Sequence, residues 1–303
     1  TAFDRPENKS SKEEIFSLIR EDLEFASQEL PYSTDQFGRW TKAAVDHLRA
    51  KVEMWDNNFI KAAEITDDII ENSPHQLVGV SQVFEGALDH PETLFAINFK
   101  KNAVGGGAWH QLNWQTVAHY SAVPGLVQSI ENGGDGFGFI TLNPYAVNLL
   151  NENSNDQRIG NYYIFNYLYN DPKTLPSGKT IGMPLDEYKN SAENDDFFLY
   201  FKRQSPGVIK FLDKNIDPTD RMHFKNIMVY RLAETYLIGA EAHFENGNTS
   251  KALEYLNAIR QRAGIGRLSS ISIESILEER ARELAFEGQR WYSLKRRGLL
   301  YDY

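Results

Sequence analysis

Apolar residues along this chain change rhythm from one region to the next. From 11 to 30, Ile15, Ile19, Leu23, Ala26 and Leu30 return every three or four positions among charged residues, the spacing of one helical face. Ser11 with Glu14 forms a capping box at its start, and Pro31 stops it. The same period predicts a helix pair at about 40–55 and about 58–72, with Asp56-Asn57-Asn58 as the turn and Pro74 as the close. A second pair is expected over about 222–263. Val229, Leu232, Ala233, Tyr236, Leu237, Ala240 and Phe244 fall in phase, Asn246-Gly247-Asn248 turns the chain, and the second helix runs to Ala263-Gly264. A last helix is expected over 273–296, with Ile273, Ile276, Leu277, Leu284 and Ala285 on one stripe and Ala281 between them.

The two pairs superpose in sequence at an offset of 190 residues. Ala43/Ala233, Ala50/Ala240, Asn58/Asn248, Lys61/Lys251, Ala62/Ala252, Glu64/Glu254 and Ile69/Ile259 are identical. Small residues spaced across the turn let two antiparallel helices approach closely, as in a tetratricopeptide repeat. The alternative is two unrelated helical hairpins with chance alanine matches. The helices at 11–30 and 273–296 would supply halves of further pairs.

The stretch Glu278–Arg297 carries charges of both signs, including Glu279/Arg282 and Glu287/Arg290 at i,i+3. Read by itself it is a solvated, salt-bridged helix. Gly288 costs it about 1 kcal/mol against Ala, which points to close packing.

Between the pairs, over about 76–221, helical periodicity gives way to other patterns. Glu92–Phe99 is a strand candidate with Phe95, Ile97 and Phe99 on one face. Asn102–Trp114 and Asn132–Phe139 are Gly-dense and read as loop or edge. Asn143-Pro144 opens a short helix to about 151, with Asn as N-cap and Pro at N1. Residues 160–220 read as long packed loops with short strands. The expected fold is mainly α: a tetratricopeptide-like helix-pair scaffold at 11–75 and 222–298, with an irregular loop-rich region between, in one domain over 1–303.

Composition narrows the partners. The net charge of −10 disfavours nucleic acid and anionic membrane surfaces, whose affinity comes from cationic contacts. There is no Cys, which excludes disulfides, Cys-ligated metals and Cys nucleophiles. No apolar run approaches the roughly 18 residues of a membrane span, and Thr1-Ala2-Phe3-Asp4-Arg5 does not read as a signal peptide. Aromatic content is 13%, a surplus that must enter the core or a binding face.

Several segments, in order, resemble the SusD/RagB family of surface nutrient-binding lipoproteins. They are Gly38-Arg39-Trp40-Thr41-Lys42-Ala43-Ala44; Glu92-Thr93-Leu94-Phe95-Ala96-Ile97; Asp156-Gln157-Arg158; Arg231–Ala242 with Asn257–Gly264; and Arg282-Glu283-Leu284-Ala285-Phe286-Glu287-Gly288 followed by Arg290-Trp291-Tyr292. The resemblance covers nearly the whole chain. It implies four tetratricopeptide-like helix pairs and a ligand site in the irregular region. It also implies noncatalytic capture of oligosaccharide or polysaccharide at the outer-membrane surface, and delivery to a SusC-like TonB-dependent transporter. A lipid anchor would hold it to the membrane, but the sequence carries no lipidated Cys, and it ends short of the family's usual tail.

A sugar ring offers a flat C–H face and a rim of hydroxyls, so a glycan site needs exposed aromatic faces and polar groups. Residues 102–120 supply both, in Trp109, His110, Asn113, Trp114 and Tyr120. Trp109 and Trp114 are five apart, which no helix or strand places on one face. A loop can turn both toward one ligand, with Gly105-Gly106-Gly107 letting the backbone come close. The alternative is that either Trp plugs the core. Secondary candidates are Phe137, Phe139, Tyr162 and Tyr163, while Trp40, Trp55 and Trp291 fall on scaffold helices.

Two other classes bear weighing. A glycoside hydrolase needs two carboxylates about 5–10 Å apart. Asp195/Asp196 or Glu131/Asp135 can be paired on paper, but nothing in their context singles them out. Gly-x-Ser-x-Gly, P-loop and His-Glu-x-x-His motifs are absent. The second class is a peptide- or protein-binding scaffold, distinguished by exposed aromatics along the helices rather than the loops. No cofactor or metal site is expected. Asn151, Asn153 and Asn155 echo a calcium loop without its Asp, Gly and Glu positions, which leaves only a loop-bound cation such as calcium open.

Overall fold

The structure, a computed structural model, describes residues 9–104, 107–186 and 202–302. Helices α1 (Lys12–Glu29), α2 (Lys42–Trp55), α3 (Phe59–Asn72) and the short α4 (Val80–Val83) lead to strand β1 (Thr93–Ile97). The loop-rich region holds α5 (Leu112–Thr116), α6 (Pro144–Asn151), β2 (Tyr163–Ile164) and β3 (Gly207–Val208). Then follow β4 (Ile227–Arg231), α7 (Leu232–Glu245), α8 (Thr249–Arg262), α9 (Ile273–Leu284) and α10 (Arg290–Arg296).

The repeat is real in three dimensions. The offset of 190 carries the bounds of α2 onto α7 and of α3 onto α8 without remainder. Each turn uses one residue in the left-handed region, Asn57 at φ 58° and Gly247 at φ 76°. Asn58 and Asn248 then cap α3 and α8, accepting from the N–H of Lys61 and Lys251. Ala43, Ala50 and Ala62, with their counterparts Ala233, Ala240 and Ala252, are wholly buried between the helices.

The helices stack as a layer in which α1 packs on α2, α2 on α3, α3 on α7, and α7 on both α8 and α9. One apolar cluster joins Ala50, Met54, Ala62, Ile65 and Ile69 to Leu232 and Ile238. Another joins Leu237, Ala240, Leu256 and Ile259 to Ile276 and Leu284. Helix α7 is therefore covered on nearly every side.

Two expectations need correction. The segment before α7 is a strand, because residues 227–231 pair antiparallel with β1, and Val229 lies in that strand, where the register shifts, rather than on a helical stripe. The buried face of β1 is Leu94 and Ala96. Phe95 and Ile97 share the opposite face, as the alternation predicts: Phe95 is half-buried and stacks on Trp40 at 4.4 Å, and Ile97 is exposed. Finally, the last helix is broken. Phe286 at φ 67° and Gly288 at φ 78° take left-handed conformations between α9 and α10.

That last stretch is not solvated either. Glu279, Arg280, Arg282 and Glu283 are buried. Arg158 contacts Asp156 at 2.7 Å and Glu279 at 2.7 Å. Arg231 contacts Glu283 at 2.6 Å, Glu287 at 2.6 Å and Glu92 at 3.0 Å. Arg262 contacts Glu92 at 2.7 Å and also Glu283. Lys210 donates to Glu287 at 2.6 Å and to the carbonyls of Glu283 and Ala285. Burial pushes the Glu283 carboxyl up, but Arg262, Arg231, Arg158 and Lys210 outweigh it and hold it well below the usual range. The motif residues of the sequence thus meet in one interior ion network that clamps the loop-rich region to the scaffold.

Candidate functional site

Helix α5 is one turn of the loop-rich region, and it presents Trp114. Two buried bonds position it: Asn113 Nδ2 donates to Gly133 O at 2.8 Å, and Thr116 Oγ1 donates to Val208 O at 2.9 Å. The Gly-dense segment then folds back over α5. Phe137 N–H donates to Trp114 O at 2.8 Å, and Ile140 N–H to Gln115 O at 3.0 Å. Gly136 permits this approach, since a Cβ there would sit 2.4 Å from Ala118 O.

The result is an aromatic platform. Trp114 lies 5.1 Å from Phe137, and Phe139 meets Trp114 edge-on at 5.4 Å and Phe137 at 4.7 Å. His119 stacks on Phe137 at 5.3 Å. Trp114 and Phe137 are half-buried, and Phe139 is 63% exposed. Two cations sit over the rings: Lys202 Nζ at 4.0 Å from the Phe137 centroid, and the Arg221 guanidinium at 5.4 Å from that of Trp114. Buried Asp135 fixes Arg221 through Nε at 2.7 Å and also accepts from Gln128. Partial burial lowers the His119 pKa, and Lys202, Arg203 and Arg221 lower it further against Asp135.

The platform unites Trp114 with Phe137 and Phe139, a primary candidate with two secondary ones. Trp109 stands on the loop before α5 and is 46% exposed. His110 is half-buried, with Nε2 on Lys225 O at 2.9 Å and its ring beside Phe99 and His223.

Four candidates are moved inside. Asn113 is buried beneath α5. Tyr120 is buried, donates to Gly134 O at 2.6 Å and stacks on Tyr167. Tyr163 is buried and donates to Arg282 O at 2.7 Å. Tyr162 is buried against Phe84 beside Glu283. Asn113 Nδ2 and the three phenol groups serve interior partners, so these side chains lie within the support of the platform.

Gly105 and Gly106, and the Asp195/Asp196 pair, lie outside the described residues. Asp135 is engaged by Arg221 and Gln128, and Glu131 is exposed beside it in sequence. In the 151–156 turn, Asn153 Oδ1 accepts from Asn155 N–H, and Asp156 is committed to Arg158. Among the described residues no group of three His, Cys, Asp or Glu is placed to hold a metal ion.

Sequence reasoning missed His119, Lys202 and Arg221. They come from three separate segments, and no local spacing connects them. It also missed a cleft of about 430 Å³ that begins at Ile140, next to Phe139, and runs between Tyr145, Phe286 and Trp291.

The model of the SusD family matches residues 91–301. SusD-like protein P25 of Formosa agariphila is 27% identical over 97% of this chain and 57% of its own length. A SusD-like protein from Bacteroides fragilis superposes with a TM-score of 0.71 at 22% identity, covering 99% of this chain and 63% of that one. Surface glycan-binding protein A from Bacteroides thetaiotaomicron superposes with a TM-score of 0.67 at 22% identity, covering 95% and 60%. The chain spans about three fifths of the length of these proteins.

Proposed function

This chain belongs to the SusD family, and from that premise we propose that it captures oligosaccharide or polysaccharide at the cell surface without cleaving it. It then hands the glycan to a SusC-like TonB-dependent transporter in the outer membrane, to which a lipid anchor holds it. The observation that carries the reading is the platform of Trp114, Phe137 and Phe139. It presents exposed aromatic surface at Phe139, and the next residue, Ile140, lines a cleft. An extended polymer needs such a surface: an apolar contact for a ring face, followed by a channel for neighbouring sugars. Trp109 offers a second exposed face on the loop before α5. Support also comes from a structural neighbour described as a surface glycan-binding protein.

Shallow contacts of this kind give micromolar to millimolar affinity, about −8 to −4 kcal/mol. The test is a screen of the folded chain against a polysaccharide panel, with calorimetry on wild type and on Phe139→Ala and Trp109→Ala, and chromatography of the glycan afterwards. Binding weakened by Phe139→Ala, with the glycan intact, supports capture at the platform. Binding lost only in Trp109→Ala moves the site along the loop. Shortened glycan overturns the noncatalytic reading.

A second reading has its own observation. Trp55, Trp291 and Tyr292 are exposed at 37%, 61% and 56% on scaffold helices. Aromatics there favour a protein partner, either the transporter or a peptide held as in tetratricopeptide proteins. Pull-down of the transporter by wild type but not by Trp291→Ala would support it.

A further inference from the structure

The cleft that Ile140 lines has two walls. One is the segment 140–146, which ends in the first turn of α6, and the other is the joint between α9 and α10. Ala281 and Ala285 keep the second wall low, and the volume of about 430 Å³ lies within the range of ligand sites, about 300–1,000 Å³. The joint is strained. Phe286 takes φ 67°, a left-handed conformation that a bulky residue rarely adopts. Its side chain is held against the interior cluster around Val83 and Tyr162, and the chain then turns into α10 with Trp291 on the cleft. Gly288, at φ 78°, would carry a Cβ into open space, so its backbone faces a gap rather than a neighbour. Strain of this kind persists where surrounding packing over-determines the backbone, and such places gather at ligand sites.

Trp291 is 61% exposed and Ile140 50% exposed, so a wholly apolar ligand lodged here would stay wet. A sugar ring suits the lining better. Trp291 offers an aromatic face for its C–H side, and Thr141 and Asn143 bring a hydroxyl and an amide to the rim for its hydroxyls. Arg290 lies over the Tyr145 ring at 5.6 Å, so Trp291 is the more open of the two faces. Phe139 on the platform precedes Ile140 in sequence, and consecutive Cα atoms are about 3.8 Å apart. One glycan chain can therefore touch both. Tyr292, next along α10, lines a different hollow with Trp55, Lys51 and Arg296. Of these two exposed aromatics of α10, Trp291 is the one that shares a cleft with Ile140.

We propose that the cleft is a second glycan subsite with Trp291 as its stacking residue, and that one polymer chain runs from Phe139 past Ile140 onto Trp291. The proposal rests on the glycan-capture reading and specifies its substrate class: a chain long enough to occupy both places, rather than a mono- or disaccharide. Joining two weak contacts through one chain makes the second contact intramolecular, so affinity grows with length until both are filled.

The experiment is calorimetry of the whole chain against cello-, laminari-, manno- and malto-oligosaccharides, each from disaccharide to octasaccharide, and against the polysaccharides of the screen. Wild type is compared with Phe139→Ala, Trp291→Ala and, as a control, Phe25→Ala, an exposed aromatic of α1. In the series that binds, affinity should rise about ten-fold from the shortest to the longest member. Trp291→Ala should remove most of that rise and leave the disaccharide nearly unchanged. Phe139→Ala should weaken every length about five-fold, and Phe25→Ala should weaken none. Repeated units raise the apparent affinity of a long chain by number alone, so the rise supports the proposal only where Trp291→Ala removes it. Thermal melts confirm that each variant is folded. A rise that survives Trp291→Ala, or no rise at all, overturns the proposal and leaves capture at the platform standing. Equal loss of disaccharide and polymer in Trp291→Ala puts the whole site in the cleft and overturns the two-part site. Absence of binding to every glycan, in a folded protein, overturns glycan capture and this proposal together.

Discussion

At the residue scale, the division between site and support follows from what each polar atom is doing. Tyr120, Tyr162 and Tyr163 looked like ring donors in sequence, yet each is fully buried, where burial holds its phenol pKa above the usual value. Phe139 has no polar atom to satisfy and keeps 63% of its surface. Phe139→Ala should therefore weaken glycan binding by about 1 kcal/mol, roughly five-fold, with an unchanged melting temperature; calorimetry beside a thermal melt checks it. Arg158 is the converse case. It is fully buried among Asp156, Glu279 and Glu283, so Arg158→Met leaves uncompensated carboxylates and should cost about 3–5 kcal/mol. Urea titration reads that loss directly.

At the element scale, the two helix pairs share turns and caps but not surroundings. The offset of 190 aligns Gly239 of α7 with Arg49 of α2. Arg49 reaches Asp46 and Ser27 at the α1 side, where there is room. Gly239 faces α3 and α8 at once, and a Cβ there would sit 2.9 Å from both Thr66 Oγ1 and the Tyr255 ring. Alanine gains about 1 kcal/mol in helix propensity over glycine. Overpacking between three helices costs about 1–3 kcal/mol. Gly239→Ala should thus destabilise, despite the better helix former, and a rise in the urea midpoint would sink the argument. The caps are equivalent, so Asn58→Ala and Asn248→Ala should each cost about 1 kcal/mol and do so alike.

At the scale of the whole molecule, the interior ion pairs make stability depend on acid. Opposing burial, nearby cations hold Glu283, Glu234 and Glu241 below the ordinary carboxylate value. Their contribution is complete above the unfolded pKa of about 4.3 and is lost as pH falls through the folded values. Histidines act earlier, His75, His110 and His119 among them, each lowered by burial. Burial lowers His47, and burial with His110 lowers His223 to about 4, so the unfolded chain takes protons first once pH drops below about 6.5. Unfolding free energy should fall gently from pH 6.5 to 4 and steeply below. His223→Phe should flatten the upper limb, and urea midpoints measured across pH 3–8 would show whether it does.

What the sequence determined by itself was what short-range physics controls. Helical period, capping boxes and turn residues marked α1, α2, α3 and α8 to within two residues, and the 190-residue offset located both hairpins. The ordered motifs carried the family. Three things were decided only by tertiary structure. Residues 227–231 became a strand because β1, more than 100 residues away, offered a partner ladder. The charged stretch 279–287 became interior because Arg158, Arg231, Arg262 and Lys210 converge on it from elsewhere. The platform arose because a glycine segment wraps a one-turn helix and two distant segments bring cations over its rings. Local patterns report which face a residue can present. Whether that face meets water, a ring or a countercharge depends on contacts distant in sequence.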